Sequence, residues 1–480
     1  MKWKWLGRAM SAIPLLITFS VASPCHAQPS DVETVRVTAA KPPVPALRYR
    51  FWPSVSEATP INAMPMFTRA CFMMEESPET VKELNDVYSS LGEGQWTPEL
   101  KTRAEAIIGK RESVLTEMER ATDCMNTTFD LNIRDEDLLG RISLLLPEVQ
   151  KSRQLARLLI VRGHLETRRG DWDRFSRTVT TLFRLSEMAG HDNAFLVGRL
   201  VSFAIVSVTL ELVETASQFE DCPNFYWALS CVPDELFDVQ SALEWERENP
   251  LIIFGVDTLP DQPIGAEAAA TQLRKTIETL RHTGSITGSG DDFEIGGARM
   301  FAGLYVAGAA QGCREILKSD PRWTDRVTEL SDAEAVLRAN RMECRKLVDE
   351  FFSWALLPTG IRDPYLSKAE KTLGDPITDS PVLPAKWTVQ LLLPALRSVF
   401  VAERRMRNKY VEAINLQAIR SGCDGKALPD SIDPLPLPVW PAFGERPEVW
   451  YERVGASEAN WIRDNEMKPG EFKQVKVVLQ

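Results

Sequence analysis

Residues Ala194 to Leu210, wound as a helix, are apolar on nearly every side, with Arg199 inside the run. Such a helix has no solvent face and must lie in a bilayer or inside a packed body. Seventeen residues fall short of the roughly 20 that cross a bilayer, and an arginine within a span is costly. The run therefore predicts a buried central helix and a fold large enough to surround it.

The segments that would surround it also carry helical periodicity. From Thr97, an N-cap with Pro98 at the first helical position, Leu100, Ala104, Ile107, Val114, Leu115 and Met118 recur on one face with charges opposite. Leu144 to Gly190 reads as a helical hairpin, with one helix through Arg168, a break at Gly170 and Asp171, and a second helix through Leu182 and Leu185. The Gly170-Asp171-Trp172-Asp173 turn is similar to that of a tetratricopeptide hairpin, but no sustained thirty-four-residue period accompanies it. Further helices are expected over Asp234 to Glu248, Ala266 to Arg281, Ala298 to Lys318, Asp332 to Trp354 and Trp387 to Arg420. Helices in succession without alternating strands predict an all-α body of stacked helical hairpins.

The two ends differ in texture. Lys2, Lys4 and Arg8, an apolar run near Ala9 to Val21 and a polar exit make residues 1–27 a secretory signal. Cleavage is expected after Ala27, leaving Gln28 first. The competing lipoprotein reading would acylate Cys25, but Pro24 stands where lipoprotein signals carry a small flexible residue. Residues 28–61, with the Pro-rich stretch Lys41 to Pro45, read as an extended tether. After Gly422, short Pro-rich pieces with Val439, Trp440, Val449, Trp450 and Tyr451 suit a small β-hairpin appendage over 422–480, whose tail Phe472 to Leu479 is a further strand or disordered. Between the ends, two helical subdomains are expected, over 62–250 and 251–421, because the chain exceeds what one core serves.

Loss of the signal removes three basic and no acidic side chains, taking the formal charge from −11 to −14. That balance disfavours nucleic acid and anionic lipid as partners. Seven cysteines would remain, Cys71, Cys124, Cys222, Cys231, Cys313, Cys344 and Cys423, an odd number in a disulfide-permissive compartment. Cys222 and Cys231 would lie about 13 Å apart on a continuous helix, so they can pair only if the segment turns.

Several stretches resemble a group of exported helical proteins abundant in planctomycete bacteria. These are Pro45-Ala46-Leu47-Arg48-Tyr49 running to Thr59-Pro60-Ile61-Asn62-Ala63, Leu145-Leu146-Pro147 with Leu155-Ala156-Arg157-Leu158-Leu159, Pro223-Asn224-Phe225-Tyr226-Trp227-Ala228-Leu229, Arg362-Asp363 followed by Lys368, and Leu391-Leu392-Leu393-Pro394-Ala395. In that group the last helix leads into a segment similar to the end of type II secretion pseudopilins. Lys426-Ala427-Leu428-Pro429-Asp430-Ser431-Ile432 keeps its first part, whereas Trp440-Pro441-Ala442-Phe443-Gly444 lacks the aspartate of its ion-binding turn. The resemblance implies export and a helical fold and assigns no activity.

Candidate chemistry is sparse. Met64, Met66, Cys71, Met73 and Met74 cluster in one short helix where soft sulfur can hold copper(I), yet with Phe67 and Phe72 among them core packing is the simpler reading. Asp171 with Asp173, and Glu244 with Glu246, flank tryptophans as a glycosidase's acids flank a sugar, but residues two apart on a helix face differently and Asp171 is placed to cap. Trp52, Trp96, Trp227 and Trp323 read as anchors of packing. Glu187 and His191 have metal-ligand spacing, though Gly190 should end the helix between them. His164 reads as a core histidine, and Gly284 to Gly290 as a loop without a phosphate-binding lysine. Neither Gly-x-Ser-x-Gly nor His-Glu-x-x-His occurs. The expectation is a non-enzymatic envelope scaffold that binds another envelope protein, without cofactor or metal, and no residue is assigned as catalytic. The alternative is an exported hydrolase or glycan-binding protein with acids and tryptophans in an inter-helical cleft.

Overall fold

A computed structural model describes residues 34–74, 77–92, 94, 96–128, 138–190, 196–252, 259–282, 295–357, 361–362, 365, 381–425, 427–432, 435–440, 451–464 and 472–480. Residues 1–27, expected to be a signal sequence, and Gly284 to Gly290, His191 and residues 441–450 lie outside them. The chain is predominantly helical with a small sheet near its C-terminus. In order, β1 (Thr34–Val37) and β2 (Thr59–Asn62) precede α1 (Met64–Met73), α2 (Pro78–Gly92), α3 (Pro98–Lys110), α4 (Glu112–Thr122) and β3 (Cys124–Asn126). There follow α5 (Leu138–Arg169), α6 (Trp172–Ala189), α7 (Leu196–Ala216), the single turn α8 (Tyr226–Leu229) and α9 (Gln240–Ile252). Then come α10 (Ala266–His282), α11 (Ile295–Leu317), α12 (Asp332–Ala355), the long α13 (Leu383–Gly422), and β4 (Tyr451–Gly455), β5 (Glu458–Asp464) and β6 (Phe472–Leu479).

These elements form two compact units, and the chain passes between them more than once. The smaller contains Gln240–Val399; the larger contains Ser143–Val239 and Phe400–Gln480 together with the segments before residue 134 from β1 on. The sequence reading, 62–250 and 251–421, drew the boundaries along the chain. The contacts place them at 239/240 and inside α13, because a long helix runs through a boundary that composition does not mark.

In the larger unit, α7 is the expected buried helix. It covers 21 residues, is long and apolar enough to cross a membrane, and has 67% of its apolar window buried within the body. Its neighbour α6 packs along it, and α4 packs on α6 and α1. Side-chain burial on most sides gives an all-round apolar helix the apolar surroundings it needs. The periodicity from Thr97 to Met118 is carried by two helices instead of one. Thr97 Oγ1 accepts from the Leu100 amide at 3.1 Å, as an N-cap should, but the chain leaves helical geometry at Arg111. Arg111 is buried, and its guanidinium turns back onto the Ile107 carbonyl at 3.1 Å.

The tether reading of 28–61 is corrected by the structure over its described part. β1 pairs in parallel with β6, Thr34 opposite Lys476 through Val37 opposite Leu479. Beyond it, the Thr38 amide donates to the Ser217 carbonyl and the Ala40 amide to the Arg420 carbonyl, both at 3.1 Å. Tyr49 and Phe51 are buried among Phe183, Phe225 and one another's surroundings, with Phe51–Phe225 ring centroids 5.1 Å apart. Prolines exclude a helix, but an extended strap held by other segments' donors and acceptors satisfies the same sequence.

The appendage reading is likewise corrected. β4 and β5 do form a hairpin, but the sheet has four strands in the order β1-β6-β5-β4, and β6 lies inside it. Val35, Val37, Ala459, Trp461, Val475, Val477 and Leu479 close a core with Leu416 and Ile419 of α13. The sheet is therefore built into the larger unit from both ends of the described chain. In the smaller unit, α12 packs against α9, α10 and α11.

Candidate functional site

The turn between α5 and α6 gathers much of the ionisable chemistry of the larger unit. Gly170, with φ +65°, ends α5: its amide donates to the Thr167 carbonyl and the Asp171 amide to the Glu166 carbonyl at 3.0 Å. Asp171 then caps α6 by accepting from the Arg174 amide at 3.2 Å. A Cβ on residue 170 would come 2.7 Å from Asp221 Oδ2, the atom that accepts the Trp172 indole N–H at 3.2 Å. Glycine is therefore required twice, for its backbone conformation and for this close approach.

Beneath the turn sits Glu166, 4% exposed. Thr178 Oγ1 donates to its carboxylate at 2.5 Å and accepts from Arg162 Nε at 2.9 Å, while Arg162 Nε stands 3.5 Å from the other carboxylate oxygen. The far end of Arg162 donates to Glu119 of α4 at 2.6 Å. Burial outweighs Arg162 and the Thr178 hydroxyl and pushes the Glu166 carboxyl up to about 7. His164, half-buried two residues earlier, is driven down to about 4 by desolvation and by the Arg168 charge. Arg168 lies between Trp96 and Phe219, 4.9 and 5.0 Å from the ring centres.

A second polar cluster ties the strap, the α7–α8 connection and α13 together. The Asn224 side-chain amide donates to the Ala40 and Gln417 carbonyls, and its oxygen accepts from the Tyr226 amide. Gln417 accepts from the Phe225 amide. Arg420, fully buried, donates to the carbonyls of Thr38, Cys222 and Pro223 and to Gln417 Oε1. Tyr226 donates to the Pro438 carbonyl at 2.7 Å and accepts from the Trp440 indole at 3.0 Å. The Pro223-to-Leu229 string is thus the centre of a buried junction. In the smaller unit the corresponding clasp is Glu334, which accepts from the Ile264 and Gly265 amides and from Arg338 Nε, while Arg338 lies 4.3 Å over Trp323.

The candidate acids are not brought together in a cleft. Asp171 caps, and Asp173, largely exposed, pairs with Arg48 at 3.3 Å. In α9, Glu244 is exposed whereas Glu246 is buried. Trp52 lies under Arg184, with the guanidinium 5.2 Å from its ring centre, and Trp227 packs edge-on against Tyr226. Met64, Cys71 and Met74 are buried and Met73 is exposed on α1, and no grouping of three or more His, Cys, Asp or Glu fit for a metal occurs among the described residues. Glu187 pairs with Arg184, and its proposed partner His191 lies outside the described residues. The chain is irregular over 222–225 and helical for the single turn of α8 before it turns again at 230–231, so no continuous helix joins Cys222 to Cys231, yet both are free thiols.

Sequence reasoning passed over Glu166 and Arg420. Glu166 lies four residues from Arg162, an ordinary surface pairing by spacing, and nothing local marks it as buried. Arg420 meets Thr38 across 382 positions, so no local pattern carries the contact. Chemically, the turn places at Glu166 one carboxyl that is 4% exposed and pushed by burial up to about 7. No protein-family model, no curated protein and no solved structure matches the chain.

Proposed function

We propose that this is an exported, non-enzymatic helical scaffold of the cell envelope, built of stacked helical hairpins, that binds another envelope protein. One observation carries the reading: of the acids and tryptophans that a hydrolytic or glycan-binding cleft would use, those at the α5–α6 turn, with Trp96 and Trp323, are engaged in the fold's own contacts. Asp171 holds a helix start, Asp173 an arginine of the strap, Trp172 the Asp221 carboxylate, and Trp96 and Trp323 lie against arginines. Arrays of helices present broad surfaces suited to protein partners, an argument at the level of fold. Export rests on the basic and apolar start of the sequence, and the resemblance to exported helical proteins of planctomycete bacteria agrees with it.

Native mass spectrometry of the protein purified from its own envelope fraction tests the proposal. The expected result is a complex of fixed stoichiometry with a second protein, and a chain beginning at Gln28. A monomer that cleaves a polysaccharide, with activity lost in Asp173→Asn, would overturn it.

A further inference from the structure

In the larger unit, β6 follows every other described element in sequence and yet lies inside the sheet. β5 pairs with one side of it and β1 with the other, so both pairings wait for β6. Without it the sheet is reduced to the β4–β5 hairpin, marginal in water by itself, and a lone strand. β6 also brings Val475, Val477 and Leu479 to the core that Val35 and Val37 complete, and the Gln480 amide donates to the Val37 carbonyl at 2.9 Å. The bonds that tie down the strap behind β1 reach equally far along the chain. The Ser176 and Thr180 hydroxyls donate to the Arg50 carbonyl across 126 and 130 positions. Thr38 Oγ1 donates to the Phe219 carbonyl across 181, the Asn224 side chain to the Ala40 carbonyl across 184, and Arg420 Nε to the Thr38 carbonyl across 382. Each such bond forms only after a long loop has been closed. Spans in the smaller unit are shorter: Glu334 accepts from the Gly265 amide across 69 positions, Arg338 donates to the Pro260 carbonyl across 78, and α12 packs on the three helices before it.

We propose that β1 and the strap form a latch that closes last, onto a β6 already paired with β5, while the smaller unit folds ahead of it. The order follows from the connections. Asp464 of β5 lies opposite Phe472 of β6 across a short link, whereas β1 reaches β6 from the other end of the described chain. The nearer pair loses less chain entropy on closing. Seven residue pairs join β5 to β6 and four join β1 to it, and the parallel pairing of β1 is slightly the weaker kind per residue. The larger unit therefore stays open until β6 is present. In a chain exported unfolded, the latch keeps that unit from closing while later segments have still to cross the membrane. That use of the latch rests on the export reading; its order of closing does not.

Hydrogen exchange of the purified protein, read by mass spectrometry, tests the latch in two ways. During refolding from urea, pulsed labelling should find α10 to α12 protected first and Thr34–Val37 in the final phase, after Glu458–Asp464. Protection of Thr34–Val37 with or before Glu458–Asp464 would overturn the proposal. At equilibrium the two sides of the pairing should respond differently. Val35→Asp, which spoils β1, is expected to speed exchange in Thr34–Val37 about tenfold or more and to leave Glu458–Asp464 within about twofold of the wild type. Val475→Asp, which spoils β6, should speed exchange in both strands about tenfold or more and leave α10 to α12 within about twofold. Equal loosening of β5 in the two variants, or protection lost throughout α10 to α12 in either, would overturn it as well. A chain that retains residues 1–27 inside the cell would instead cancel the export reading and leave the order of closing to stand.

Discussion

Glu166 and His164 lie two residues apart on α5 and shift in opposite directions for one reason, desolvation of the charged form. For Glu166 the folded value of about 7 exceeds the ordinary 4.5, so its contribution is fully present below 4.5 and is lost as pH rises through 7. For His164 the folded value of about 4 is below the ordinary 6.5, so its contribution is present above 6.5 and is lost as pH falls towards 4. Between 4.5 and 6.5 the two slopes oppose each other. We therefore expect urea unfolding of His164→Gln to show greater stability than the wild type at pH 4.5 and little difference at pH 8. Equal acid sensitivity of the two proteins would refute the assignment. Arg420 poses the opposite case, a cation buried for its hydrogen bonds. Arg420→Ala leaves the carbonyls of Thr38, Cys222 and Pro223 without their donor, and should cost more than about 3 kcal/mol in chemical unfolding.

At the level of elements, the helices were legible because burial writes a period of 3.6 into the sequence. The Thr97 cap, the break at Gly170 and Asp171, and the helix from Asp332 all appear where capping residues and glycine announce them. The kink at Arg111 was not legible, because the apolar positions on either side of it keep helical spacing across the break. β1 was hidden for a different reason: four residues, Thr34–Val37, are too few to declare a strand unless the partner is known, and the partner is the end of the chain. Asp171 and Asp173 were legible as a cap and a surface group, whereas the burial of Glu246 and of Glu166 needed the third dimension. Two predictions belong here. Gly170→Ala forces a left-handed backbone on alanine and presses on Asp221, for a loss of about 1–2 kcal/mol measured by thermal or urea unfolding. Val477→Asp places a charge at the centre of the sheet core, and limited proteolysis should then cut near Thr34–Val37, which is protected in the wild type.

Across the whole molecule, the cysteines bear on how the chain responds to oxidant and reductant. Burial raises the thiols of Cys222 and Cys423 to about 11 and that of Cys313 to about 12, and lifts Cys124 and Cys344 as well. A thiol held protonated is a poor nucleophile for disulfide exchange. The expected result is a melting temperature unchanged by reductant, with thiol labelling of Cys222, Cys313 and Cys344 only after unfolding; a reductant-dependent loss of stability would contradict the free-thiol fold. With Cys222, Cys313 and Cys344 as buried free thiols, the described residues rely on buried junctions such as that of Arg420 and Asn224. The most direct test of that account is crosslinking of the native protein in an intact envelope fraction, with identification of every attached chain by mass spectrometry. A second envelope protein recovered in constant ratio, at crosslinks that map to exposed helical faces, is the predicted result. Recovery of the protein alone, together with saturable glycan binding in its purified form, would contradict it.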